Sequence, residues 1–336
     1  MSPLVPRSGE RTVSVVIPVY RGSETLRPLV AEIEPMTKPQ VTPEGRGFRV
    51  AEVVLVWDRG PDASDQAIRD LACLHPWVRP VWLSRNYGQH AATLAGMASA
   101  GGDWVVTLDE DGQHDPAAIP DLLDTAFRDN AQVVYGVPKN PPPHGAVRNG
   151  ASMLVKSLAV RLLVEDVPKG FSSYRLVLGE IARSMAAYAG PGVYLDVALG
   201  WVTARVSHFP ITARTEGRPA TSYTVRRLVS HFWRLVISSG TRPLRLVSAL
   251  GFVTAIFGAL LSLYFIFQRL NSQVPIAGWT SVIVAVLFVG GATLFSLGVI
   301  AEYVGAALRS AMGRPLYVTV RDPQESFATS PTDEEH

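Results

Sequence analysis

Short apolar runs separated by polar, helix-like stretches set the pattern of the first two thirds of the chain. The runs are "SVVIPV" at 14–19, "EVVLVW" at 52–57, "VRPVWL" at 78–83, "DWVVTL" at 103–108 and "AQVVYGV" at 131–137. Each has the length and β-branched content of a buried strand, and their alternation with helical segments predicts a mostly parallel sheet with helices on both faces. Two polar stretches rich in Pro and Gly, "MTKPQVTPEGRGF" at 36–48 and "KNPPPHG" at 139–145, read as loops.

The last third follows a different pattern. Residues 246–267 and 274–300 carry no charge over 22 and 27 positions, and roughly 20 apolar residues suffice to span a bilayer as helix. Both segments are apolar on every face, which favours a transmembrane hairpin over two buried helices of a soluble core. Arg226, Arg227, Arg234, Arg242 and Arg245 precede the first segment and Arg309, Arg314 and Arg321 follow the second, whereas the connection holds only Arg269. The positive-inside rule therefore puts the globular region and both termini on the cytoplasmic side. Just before the hairpin, "TVRRLVSHFWRLVIS" at 224–238 places Val225, Leu228, Val229, Phe232, Leu235 and Val236 on one helical face and Arg226, Arg227 and Arg234 towards the other. That pattern suits a helix lying on the membrane surface, with packing on the globular domain as the alternative.

The expected organisation is a flexible tail at 1–10, a globular domain at 11–220, an amphipathic juxtamembrane segment at 221–245, the hairpin at 246–304, and a C-terminal segment at 305–336 whose acidic end, "ESFATSPTDEEH", reads as disordered. Composition adds little except contrast. The 31 basic and 29 acidic residues leave a net charge of only +2, while a mean hydropathy of +0.17 is high for a soluble protein and reflects the two spans. The first twelve residues lack the apolar core of a signal peptide, so export of the N-terminal region is not expected. The single cysteine, Cys73, rules out an internal disulfide and is expected to be an inert core residue.

Candidate chemistry sits in "GGDWVVTLDEDGQHDP" at 101–116. The run Trp104–Leu108 reads as a strand, and Pro116 with Ala117 and Ala118 as a helix start, so Asp109, Glu110 and Asp111 fall on a strand-to-helix loop at the carboxyl edge of the sheet, where ligands bind in open α/β folds. Two carboxylates one residue apart suit a hard divalent cation that keeps waters and substrate phosphates. An EF-hand is excluded, because the twelfth position from Asp109 is Pro120. Neither the G-x-x-x-x-G-K-[ST] nor the G-x-G-x-x-G motif occurs.

The company of that loop carries a resemblance. "IPVYRGSETL", "VLVWDRGPDASD", "LSRNYGQHAATLAGM", "TLDEDGQ" and the closing "IAEYVGAALRSAMGRPLYV" together resemble glycosyltransferase family two and, within it, the polyprenyl-phosphate glycosyltransferases, from Val13 to Val320. The resemblance implies a GT-A fold whose D-x-D loop, here Asp109 and Asp111, holds Mg²⁺ or Mn²⁺ against the donor diphosphate, with Gln113 just behind. It implies that Pro18 and Tyr20 line the nucleotide, that Asp58 contacts the base, and that Lys139, Arg148, Ser152 and Arg214 meet phosphate. Gly217 and Tyr223 fall in the segment that leads to the membrane helices. The chain departs from the family at Trp57-Asp58-Arg59-Gly60, where relatives read "DDGS", and at Gly22, where an acidic residue is often found. It also departs at Lys169 of "KGFSSYR", which occupies the place of an aspartate six residues before Arg175.

The activity implied is inverting transfer of one sugar, from a nucleotide donor expected to be a UDP-sugar, to undecaprenyl phosphate or a similar polyprenyl phosphate at the cytoplasmic membrane face. No nucleic-acid partner is implied, and homo-oligomers, tetramers included, fit the family. A processive polysaccharide synthase is disfavoured because no Q-x-x-R-W motif occurs. The third alternative is an inactive relative that serves as a membrane scaffold or binds sugar nucleotides. With an already ionised acceptor phosphate, Lys169 is expected to position the nucleophile rather than to deprotonate it.

Overall fold

The computed structural model describes residues 9–139, 172–188, 195–212, 214, 247–249, 251–254, 256–258, 260, 263–264, 267, 279–312 and 315–324. Arg148, Ser152, Lys169, the juxtamembrane segment with the amphipathic helix expected there, and the acidic C-terminal end lie outside them.

All five apolar runs form strands: β1 (Arg11–Val19), β3 (Gly47–Trp57), β4 (Val78–Leu83), β5 (Trp104–Thr107) and β6 (Val133–Pro138). Four further strands complete the sheet: β2 (Gln40–Val41), β7 (Arg175–Leu178), β8 (Val206–Ile211) and β9 (Thr319–Val320). The order is β8-β6-β7-β5-β1-β3-β4-β9, with β2 on β3. Parallel pairing of β1 with β3 and β5, of β3 with β4, and of β6 with β8 accounts for most of the paired residues; β7 is inserted antiparallel between β5 and β6. No sequence pattern announces β2 or β9, because two-residue strands draw their stability from the neighbour they pair with. The segment at 36–48 is accordingly more ordered than the loop expected of it.

Helices cover both faces, and this is why β1 is buried from Val13 to Val19 without alternation. On one face Val13, Val15 and Ile17 pack with α1 (Leu26–Ile33), α2 (Ser64–Leu74) and α4 (Ile119–Arg128) through Leu29, Ile68 and Leu122. On the other, Val16, Val54 and Val105 meet α3 (Gln89–Ser99), α5 (Gly179–Tyr188) and α6 (Leu195–Val202) through Leu94, Met185 and Leu199. Cys73 is exposed, contrary to expectation. The buried stripe of α2 is Ser64, Ala67, Ile68 and Leu71, and position 73 falls on the opposite side.

From β1 the chain winds outward through β3 and β4, then returns to place β5 on the other flank of β1. The order therefore reverses between β1 and β5, the position at which open α/β sheets form a ligand crevice. At the outer edge the chain comes back from the apolar region: β9 pairs with Trp82 and Leu83, and Asp322 takes a two-pronged ion pair from Arg69 at 2.7 and 2.8 Å.

The chain divides into two compact units, one formed by Met1–His144, Asp166–Tyr223 and Pro315–His336, the other by Gly145–Glu165 and Thr224–Arg314. The second contains α7 (Trp279–Ala311), 33 residues long, whose Phe288–Gly305 stretch is long and apolar enough to cross a membrane, together with a shorter apolar helix at Val247–Gly258.

Gly96 marks where α3 lies closest to the sheet. A Cβ there would stand 2.3 Å from Val16 Cγ1 and 2.9 Å from Val56 Cγ2. Alanine in a helix gains about 1 kcal/mol over glycine, but overpacking costs about 1–3 kcal/mol, so Gly96→Ala should lower the stability of the globular unit in denaturant titrations. A raised midpoint would show that α3 can lift off the sheet at no cost.

Candidate active site

The crevice is built from loops whose backbone amides are held by side chains. After β1, four consecutive N–H groups lack strand or helix partners, and each finds a side-chain oxygen. Tyr20 and Arg21 donate to Glu110, Gly22 donates to Ser64 Oγ, and Ser23 donates to Asp62, at 2.8–3.1 Å. Gly60 allows the β3 loop to approach, since a Cβ there would lie 1.7 Å from the Tyr20 carbonyl oxygen. The Tyr20 ring is exposed and carries the Arg21 guanidinium over it at 5.7 Å. Pro18 is buried within β1 opposite Val56 and shapes the strand end rather than presenting a side chain to the crevice.

After β5, Leu108 continues the ladder by donating to the Val16 carbonyl, and the acidic loop follows. Asp109 receives the Gln89 amide at 2.5 Å on one oxygen and the Ser173 hydroxyl at 2.6 Å on the other. Asp111 accepts the Gln113 amide at 3.1 Å, across a turn that Gly112 makes with φ of +72°. Asp115 caps the short 3₁₀ turn Pro116–Ala118 that leads into α4, so the expected helix start holds. His114 is stacked on Tyr174, and its Nδ1 accepts the Asp109 amide at 3.2 Å, which requires the neutral ring. Burial and the Arg175 charge hold the imidazole below its ordinary pKa against the pull of Asp109 and Asp111.

Asp58, at the end of β3, is only 3% exposed, and its oxygens accept the amides of Tyr87 and Gly88 at 2.7 and 2.8 Å. Burial raises its pKa, opposed by those two amides and by Arg85. The side chain that the resemblance aims at a base also clamps the β4 loop. Arg59, next to it, takes a left-handed φ of +52°, donates to the Leu83 carbonyl at 3.3 Å and lies over the Trp57 ring.

The fourth wall is the start of β7. Thr107 Oγ1 donates to the Ser173 carbonyl, Ser173 Oγ to Asp109, and Tyr174 Oη to the Asp115 carbonyl. Arg175 is buried and ion-paired with Asp196, which also accepts from Tyr135 Oη. A guanidinium so enclosed is a structural charge, because its counter-ion and packing leave it no path to a ligand. Arg214 is also paired, to Glu32 at 2.8 Å and Asp115 at 2.8 Å, and its amide donates to the Gln113 carbonyl at 3.1 Å. Lys139 donates its amide to the Ile211 carbonyl.

The structure therefore brings Tyr20, Asp109, Asp111 and Gln113 to one crevice, and gives Asp58 and Pro18 supporting roles. Residues that sequence reasoning missed are Glu110, Gln89, Ser173 and His114. Glu110, Gln89 and Ser173 act on other loops and the His114 ring stacks on Tyr174, and spacing within one motif carries no signal of that. Among the described residues no group of three or more His, Cys, Asp or Glu side chains is placed to hold a metal ion. Two carboxylates on one loop do not make a closed four-ligand centre. They do fit Mg²⁺ or Mn²⁺, which leave positions for water and phosphate oxygens.

The sequence matches glycosyl transferase family 2 over residues 14–176 and the GtrB C-terminal hairpin over residues 242–307. It is 31% identical over 317 residues to an undecaprenyl-phosphate 4-deoxy-4-formamido-L-arabinose transferase of Pseudomonas fluorescens, covering 91% of this chain and 88% of that one. Identity to the protein of the same name from Salmonella paratyphi B is 29% over 330 residues, covering 97% and 98%. Among solved structures, glucosyl-3-phosphoglycerate synthase of Mycobacterium tuberculosis, in complex with Mn²⁺, UDP and glucosyl-3-phosphoglycerate, superposes with a TM-score of 0.46 at 16% identity, over 69% of this chain and 80% of that one.

The Asp58 clamp is directly testable. Asparagine keeps the size but offers one acceptor to two N–H groups and turns its own N–H₂ towards one of them. Asp58→Asn should cost about 1.5–3 kcal/mol and speed amide exchange at residues 85–89. Unchanged exchange there would mean that the β4 loop holds its shape without the carboxylate.

Proposed function

Because the chain belongs to glycosyl transferase family 2, we propose that it moves one sugar from a nucleotide donor, a UDP-sugar in our reading, onto a polyprenyl phosphate at the cytoplasmic face of a membrane, with inversion at the sugar carbon. The observation that carries this reading is the placement of Asp109 and Asp111 at the reversal point between β1 and β5, with the exposed Tyr20 ring on the loop across from them. The C-terminal hairpin match and the apolar helix α7 support a membrane-anchored acceptor. So do the relatives, whose names specify undecaprenyl phosphate.

In this reading Asp109 and Asp111 hold Mg²⁺ or Mn²⁺, which neutralises charge on the departing nucleoside diphosphate. The Gln89 and Ser173 hydrogen bonds fix the Asp109 carboxylate so that its orientation is set before the donor binds. Tyr20 offers an aromatic face to the nucleoside. The acceptor enters as a monoester phosphate whose second pKa is about 6, so at neutral pH its oxygen is already ionised. Lys169, with Lys139, Arg148 and Ser152, positions that oxygen in line with the sugar carbon. Arg214 contributes indirectly, since Glu32 and Asp115 already meet its charge and its amide braces Gln113. Homo-oligomers, tetramers included, are compatible with this arrangement.

Two variants test the reading. Asp111→Asn should abolish formation of lipid-linked sugar from labelled donor while leaving thermal unfolding unchanged, since an amide is a poorer ligand for a hard cation; near-normal turnover with Mg²⁺ would remove Asp111 from the metal site. Lys169→Ala should raise the acceptor KM and lower kcat/KM by about 1.5–3 kcal/mol. Higher activity in Lys169→Asp would instead identify position 169 as the proton acceptor.

A further inference from the structure

Glu110 reaches across the crevice between the carboxyl ends of β1 and β5. Its flanking carboxylates have other partners: Asp109 receives Gln89 and Ser173, and Asp111 receives the Gln113 amide of its own loop. Glu110 instead accepts the Tyr20 amide at 2.9 Å and the Arg21 amide at 2.9 and 3.0 Å. The loop is shaped around this carboxylate. A Cβ at Gly22 would stand 2.8 Å from Glu110 Oε2 and 2.9 Å from Leu26 Cγ, so a side chain at position 22 and the glutamate compete for the same space. Ser64 and Asp62 secure the next two amides from the opposite flank, which leaves Glu110 as the link between the β1 loop and the acidic loop.

We propose that Glu110 is a positioning residue for the donor: it sets the spacing between the Tyr20 face and the Asp109–Asp111 pair before any ligand arrives. The inference rests on the sugar-nucleotide reading of this crevice. Two backbone N–H groups on one ionised carboxylate make a strong, geometrically defined tie. A loop held in its bound shape has less entropy to lose when nucleotide binds. The carboxylate ties the β1 loop, which sets it apart in role from the two aspartates.

The test uses the full-length protein in detergent with Glu110→Gln, which preserves size, and reads amide exchange at residues 19–23, binding of Mn²⁺ alone, and binding of UDP with Mn²⁺. Exchange should quicken, UDP affinity should fall about tenfold, as for loss of a charged hydrogen bond, and Mn²⁺ binding alone should stay unchanged. In turnover the donor KM should rise while kcat and the acceptor KM stay within about twofold. Unchanged exchange at 19–23 overturns the proposal, as does retained UDP affinity despite a loosened loop. A fall in Mn²⁺ binding without nucleotide also overturns it, by making Glu110 a metal ligand. Should the wild-type protein bind no nucleoside diphosphate at all, the sugar-nucleotide reading fails, and the exchange measurement still decides whether the tie exists.

Discussion

Backbone amides that leave a parallel sheet at its carboxyl edge have no ladder partner, and in this protein side-chain oxygens, most of them on carboxylates, take up that demand. Glu110 and Asp62 hold the loop after β1, and Asp58 holds the loop after β4. For the buried members of this set, such as the Gly22 amide, an unpaired N–H would cost free energy comparable to a lost hydrogen bond. Because each carboxylate comes from a different loop than the amides it binds, satisfying the backbone also fixes the loops relative to one another. The shape of the crevice follows from that requirement.

The same requirement sorts the acidic residues by role. Asp58 is buried and spends one hydrogen bond of each oxygen on a backbone amide of the β4 loop, so its carboxylate is held in place by that loop. Asp109 and Asp111 keep part of their coordination capacity because their partners are a side-chain amide, a hydroxyl and one nearby N–H. Basic groups sort likewise. Arg175 is paired with Asp196, and Arg214 with Glu32 and Asp115. A count of charged residues in the motifs would have assigned all of them to substrate.

The insertion of β7 explains how distant motifs meet. Running antiparallel between β5 and β6, it carries Ser173 to Asp109 and Tyr174 to the Asp115 carbonyl. Ser173 and Tyr174, immediately before it in sequence, thus tie the start of the strand to the acidic loop. The position of Ser173 against Asp109 is set by sheet pairing rather than by loop conformation.

Much was legible in the sequence. Five strands stand at their apolar runs, because a strand covered on both faces must be continuously apolar, and that constraint is local. The placement of Asp109 and Asp111 on a strand-to-helix loop was readable for the same reason, from a short β-branched run followed by Pro116. What the sequence left undetermined depends on contacts between segments far apart. Strand β9 exists because Trp82 and Leu83 offer an open edge, Cys73 is exposed because the buried stripe of α2 passes it by, and Asp58 clamps the β4 loop because the Tyr87 and Gly88 amides lie 2.7–2.8 Å away. Periodicity and motif spacing record what one segment needs. Which carboxylate meets which amide, and so which acid remains for chemistry, is fixed only when the loops are brought together.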